Sequence, residues 1–167
     1  MKQLLIVRHS KSDKNDPFLE DFDRPLNERG HKNAREMAQR LVKQQIIPQK
    51  ILSSPALRAL TTANYFADEL GIDQSEVIRN KNIYEASAST LLKIINGLND
   101  NADFIAIFGH NPGFSELAYQ LSNNAGLDSL PTTGMALIEF PFDSWNLVSS
   151  GTGKLLLFDF PKNVLEF

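Results

Sequence analysis

The chain has 167 residues, no cysteine, and a formal net charge of -3 from 17 Lys+Arg against 20 Asp+Glu. That length suits one domain with a real core, and the missing cysteines exclude a disulfide framework, a thiolate zinc site and a cysteine nucleophile. The charge balance gives no reason to expect nucleic acid or a membrane surface as a partner, and no stretch approaches the roughly 20 apolar residues of a membrane helix. A soluble, cytoplasmic, monomeric protein is expected. The run behind Lys2 is too short for a signal-peptide core and is interrupted by Arg8.

The apolar run Leu4-Leu5-Ile6-Val7 predicts a buried first strand, and it delivers Arg8 and His9 side by side at its tip. Residues 11–26 are polar and broken by Pro17 and Pro25, a long loop of the kind that often carries function. From Asn27, the spacing of Ala34, Met37, Ala38, Leu41, Val42 and Ile46 predicts a helix closed by Pro48. KILSS (50–54) reads as a short strand. PALRALTTANYFADELG (55–71) reads as a helix with Pro55 in its first turn and Gly71 as its cap.

VIRN (77–80) suggests another short strand and residues 87–99 a helix. DFIAIFGH (103–110) is nearly continuous in apolar residues, as befits a strand covered on both faces. A helix is expected after Pro112, then strands at MALIEF, WNLVSS and KLLLFDF. The alternation predicts an α/β fold: a three-layer α/β/α sandwich whose central sheet is mostly parallel, finished by antiparallel strands, in a single domain over 1–167.

In such sheets ligands bind beyond the carboxyl ends of the strands. LLIVRH ends there in Arg8-His9, KILSS just before Arg58, and DFIAIFGH in His110, so two arginines and two histidines converge from distant parts of the sequence. His31, on a polar helix start, reads as a surface or structural histidine, and Arg35 and Arg40 as a solvated helix face. The converging set suits a phosphoryl group. Guanidinium forks grip phosphate oxygens bidentately. A neutral imidazole can attack phosphorus, and the second histidine, if protonated, would add a donor to the transferred group. No Asp/Glu cluster with metal spacing accompanies these residues, so no metal or other cofactor is required.

Arg8-His9, SSPALRALTTA (53–63) and GHNPG (109–113), in this order, closely resemble the histidine phosphatase superfamily with its phosphoglycerate-mutase-like fold. DFDRPLNERG (21–30), LPTTG (130–134) and the short chain resemble the SixA-type phosphohistidine phosphatases within it. The resemblance spans residues 2–161. It implies that His9 is the nucleophile that becomes phosphorylated and that Arg8, Arg58 and His110 form the phosphate pocket. Arg24 matches an arginine near that pocket, beside the alternative that it pairs with Asp21 or Asp23 to order the loop. Ser10 stands where the family commonly has glycine, and its small side chain should preserve a close backbone approach to substrate. Glu85 lies about where many members supply a general acid, beside the alternative of an exposed loop carboxylate.

The resulting expectation is metal-free hydrolysis of phosphohistidine carried on another protein, since little chain is left to roof the site. A protonated imidazole leaves more readily than an alkoxide, which relaxes the need for an acid. The acidic residues of the 11–26 loop either touch such a partner or are simply solvated. Two rivals stand beside this reading: a small-molecule phosphomonoesterase, and a phosphate-binding interaction protein without turnover.

Overall fold

The computed structural model describes residues 1–127 and 129–163, and in it the first apolar run is strand β1 (Lys2–Arg8), near the middle of a six-stranded sheet. The other strands are β2 (Lys50–Ser53), β3 (Ile78–Arg79), β4 (Phe104–Gly109), β5 (Met135–Phe140) and β6 (Lys154–Asp159). They lie in the order β3-β2-β4-β1-β5-β6. β3, β2, β4 and β1 run parallel, whereas β5 pairs antiparallel with both β1 and β6.

Alternation along β1 assigns its side chains to two cores. Leu5 and Val7 face helices α1 (Glu28–Lys43) and α2 (Leu57–Leu70), packing with Met37, Leu41, Ala63 and Phe66. Leu4 and Ile6 face α3 (Ala88–Asn96) and α4 (Gly113–Ser122), packing with Leu91, Ile95, Phe114 and Leu117. All four β1 side chains are fully buried, each contributing about 1.5–3 kcal/mol of hydrophobic stabilisation. The sheet is therefore sandwiched between two helical layers, as the fold class predicts.

The structure departs from the sequence expectations in four places. Helix α1 stops at Lys43 and not at Pro48. Gln45 adopts φ 59°, its N–H donates to Val42 O, and the Ile46 N–H donates to Leu41 O, the two bonds of a Schellman motif. Ile46 thus lies beyond the helix end, although its spacing of four from Val42 continues the helical pattern in the sequence.

Pro55 precedes the helix, with Ala56 as the cap of α2. WNLVSS is not a strand. Trp145–Leu147 forms a 3-10 turn because the backbone acceptors of Trp145 and Val148 are taken by Asn96 Nδ2, and the Trp145 N–H donates to Asp100 Oδ1. The Trp145 ring is buried, its Nε1 donating to Ala102 O. Finally, Arg40 is no solvated residue: it donates to the buried Asp159 carboxylate and to the carbonyls of Phe160 and Pro161, tying α1 to the end of β6.

Among the described residues, no helix is long and apolar enough to cross a membrane.

Candidate active site

Parallel pairing brings the ends of β1, β2 and β4 together. Arg8 is in register with Gly109, and Ser53 with Phe108. The chain leaving each tip stays bonded to its neighbour: the His9 N–H donates to Gly109 O and the Ser54 N–H to Phe108 O. The Thr133 N–H is shared between the carbonyls of Arg8 and His9. Thr133 holds φ 58°, a rare backbone state for a β-branched residue, and this kink in LPTTG leaves its neighbour Thr132 lining the cavity beyond the tips.

That cavity measures about 540 Å³, and Arg8, His9, Arg24, Arg58 and His110 are among the residues that line it. His9 and His110 are buried neighbours, their ring centroids 5.3 Å apart. His9 Nδ1 lies 2.6 Å from Ser10 O. A carbonyl only accepts, so Nδ1 carries the proton and the neutral ring keeps its lone pair on Nε2.

His110 Nε2 lies 2.8 Å from Ser54 Oγ, which already accepts from the Ala56 N–H. The Ser54 hydroxyl proton is then best satisfied by donation to Nε2, which puts the ring proton on Nδ1. That nitrogen has no protein partner among the described residues.

Both rings are neutral at pH 7. Burial, reinforced by Arg58, Arg8 and Arg24, pushes His9 down to about 4, against the opposing pull of the Ser10 carbonyl. Burial, then His9 and Arg58, pushes His110 down to about 3. His110 therefore offers a neutral N–H donor and not the added positive charge that a protonated second histidine would bring.

Arg58 occupies the first turn of α2, where it turns back over the strand tips. Its NH1 donates to Asp21 O at 2.6 Å and its NH2 to Asp21 Oδ2 at 3.0 Å. Arg24 NH2 donates to Asp21 Oδ1 at 2.5 Å, so the two alternatives for Arg24 coexist: it lines the cavity and it pairs with Asp21. Arg8 NH1 donates to Leu130 O, while its Nε has no partner among the described residues. Tyr84, unremarked in the sequence, completes the cluster by donating to Asp21 Oδ2 at 2.6 Å and stacking edge-on against His110.

The structure does not bring Ser10 or Glu85 into the cavity. The Ser10 hydroxyl is fully buried, donates to Gly30 O at 2.6 Å and is bonded to Thr133 Oγ1 at 2.7 Å, while its N–H donates to Thr62 Oγ1. Glu85 is exposed at φ 57° and is not among the lining residues. Asp13 is the one carboxylate in the described lining; with Lys11, Lys14 and Asn111 it belongs to loops without periodic signal, though Asn111 sits inside GHNPG. His31 is half-buried and bonded to Tyr65 Oη, a structural role.

The family model described as the histidine phosphatase superfamily (branch 1) matches residues 4–95. An uncharacterized protein of Mycobacterium tuberculosis is 30% identical over 165 residues, covering 93% of this chain and 100% of the relative. Among solved structures, the protein assigned as phosphohistidine phosphatase SixA from Agrobacterium tumefaciens superposes with a TM-score of 0.79 at 25% identity, covering 94% of this chain and 96% of that one. A protein histidine phosphatase SixA complexed with tungstate gives 0.80 at 22% identity, covering 95% and 97%. The chain belongs to the histidine phosphatase superfamily, branch 1.

Proposed function

We propose that this histidine-phosphatase-type hydrolase removes the phosphoryl group from a phosphohistidine carried on another protein, through a phospho-His9 intermediate. The observation that carries the reading is the tautomer of His9: with Nδ1–H held by Ser10 O, Nε2 keeps its lone pair beside three arginines. The likeness to the two SixA structures supports the substrate class.

In the first step His9 Nε2 attacks phosphorus and the substrate's P–N bond breaks, its electron pair returning to the departing imidazole, which already carries a proton on its other ring nitrogen and leaves neutral. Arg8, Arg24 and Arg58 receive the equatorial oxygens, with the His110 Nδ1–H as a further donor. Water then attacks phospho-His9, phosphate leaves, and the lone pair returns to Nε2. The electrostatics suit a good leaving group. Its bond to Tyr84 holds Asp21 ionised, at about 2, and burial pushes Tyr84 up to about 12, so neither is a strong acid at neutral pH. A second reading, hydrolysis of small phosphate esters, is favoured by the Asp13 carboxyl group in the lining, which in its protonated form would supply the proton an alkoxide leaving group needs.

The test is intact-mass and acid-lability analysis after brief exposure to a phosphohistidine-bearing protein. An acid-labile phosphoryl adduct on the wild type that is absent from His9→Ala, followed by phosphate release, is expected. Undiminished phosphate release by His9→Ala overturns the covalent mechanism. Turnover of sugar phosphates with inertness toward phosphohistidine moves the assignment to the second reading.

A further inference from the structure

A second cavity, of about 400 Å³, adjoins the first, and Lys11 and Thr132 line both. Its wall brings three cations together from separate parts of the chain: Lys11 after β1, Arg29 in the first turn of α1, and Lys162 beyond β6. Phe160, Pro131 and Pro161 supply apolar surface between them, and no carboxylate is among the lining residues. In a chain of net charge -3, this is a local concentration of positive charge. None of the three cations forms an ion pair among the described residues.

The walls are held in place by the fold. Lys11 O accepts from the Asn27 N–H and lies so close to Gly30 that a Cβ there would meet it at 2.1 Å, which fixes the backbone of Lys11 against the start of α1. On the opposite side, Arg40 bonds the carbonyls of Phe160 and Pro161, anchoring the segment that carries Lys162. The backbone is fixed while the three side chains are exposed at the cavity wall, and their like charges repel one another. A bound anion relieves that repulsion.

We propose that this cavity is a second anion subsite, which holds a carboxylate or phosphate of the substrate alongside the phosphoryl group bound at His9. The proposal rests on the phosphohydrolase reading above and extends it to substrate selection. Continuity through Lys11 and Thr132 lets one molecule occupy both cavities. The anion can come from an acidic side chain near the phosphohistidine of a protein, or from the second phosphate of a small substrate.

The test compares wild type with the Arg29→Ala/Lys162→Ala double variant, which leaves every residue of the first cavity unchanged. Probes are phosphohistidine peptides flanked by Asp/Glu or by Asn/Gln, a sugar bisphosphate with its monophosphate, and phenyl phosphate. Removal of two cations is expected to lower kcat/KM about tenfold for the acidic peptide or the bisphosphate, through KM, and to move phenyl phosphate by less than about twofold.

Whichever pair shows the difference identifies the source of the anion. Calorimetric binding of the same pairs to His9→Ala, with and without the double substitution, reads the subsite without turnover. Equal wild-type affinity within both pairs overturns the proposal, and so does a discrimination that survives the double variant. Failure of the wild type to hydrolyse any probe counts against the phosphohydrolase reading, while the calorimetric comparison still decides the subsite.

Discussion

The Asp21 carboxylate is bonded to the Arg58 guanidinium at 3.0 Å, and the Asp21 carbonyl accepts from the other Arg58 nitrogen at 2.6 Å. With Arg24 and Tyr84 on the same carboxylate, Asp21 both positions two cavity arginines and neutralises part of their charge. A phosphoryl group entering the cavity competes with it for the same forks.

Asp21→Asn is therefore expected to have opposite effects on binding and turnover. Removing one negative charge beside the arginines should tighten inhibition by inorganic phosphate about fivefold. The less firmly held Arg24 and Arg58 should lower kcat. Steady-state kinetics with phosphate as inhibitor separate the two effects. Weaker phosphate inhibition with unchanged kcat would show that Asp21 does neither.

The depressed histidines make a spectroscopic prediction. Ring nitrogen shifts of His9 and His110 should stay in the neutral pattern from pH 8 to pH 5, with the proton of His9 on Nδ1, because their values lie near 4 and 3. His31, outside the cavity, serves as an internal comparison in the same spectra. Titration of His9 near its ordinary value would contradict the burial and arginine arguments together.

The same two groups link stability to pH. Their folded values lie below the unfolded one, so between about pH 6.5 and 4 the unfolded chain binds more protons and stability falls as pH is lowered. From pH 7.5 to 5 the loss should be roughly 2 kcal/mol per ring, complete only below the folded values. Urea midpoints across this range should fall for the wild type and fall less for His9→Ala or His110→Ala.

Ser10 separates stability from catalysis. Its hydroxyl satisfies Gly30 O and is the partner of Thr133 Oγ1, all in a buried setting outside the cavity lining. Ser10→Ala strands those groups and should cost about 1–3 kcal/mol. A lowered melting temperature with kcat within about threefold of wild type is expected, since the Ser10 carbonyl that holds His9 is retained. A large kcat loss at unchanged stability would place the hydroxyl in the reaction.

What the sequence makes legible here follows from periodicity and strand ends. Leu4–Val7 and Ile105–Phe108 are buried strands because their runs are continuous, and parallel pairing then leaves little freedom in where Arg8, His9 and His110 emerge. Arg58 is legible because it follows a strand by a few residues.

Contacts carried by single polar groups leave no such trace. Tyr84 meets Asp21 across 63 residues, and Arg40 finds Asp159 across 119. Trp145 has strand propensity, yet Asn96 and Asp100 consume the backbone groups a strand would need. Ile46 keeps a helical spacing from Val42 although a left-handed Gln45 lies between them.

The last prediction concerns acid assistance, where the family resemblance favours Glu85 and geometry favours Asp13. Glu85 is exposed outside the cavity lining, whereas Asp13 lines it. Glu85→Gln should leave kcat/KM within about twofold on any phosphorylated substrate. Asp13→Asn should lower turnover of an alkyl phosphate by about tenfold or more, because an alkoxide departs poorly without a proton. It should have much less effect on phosphohistidine, whose protonated imidazole is already a good leaving group. Equal losses on both substrates would mean that Asp13 acts in binding, while a loss confined to Glu85→Gln would require the Glu85 loop to reach the cavity once substrate is present.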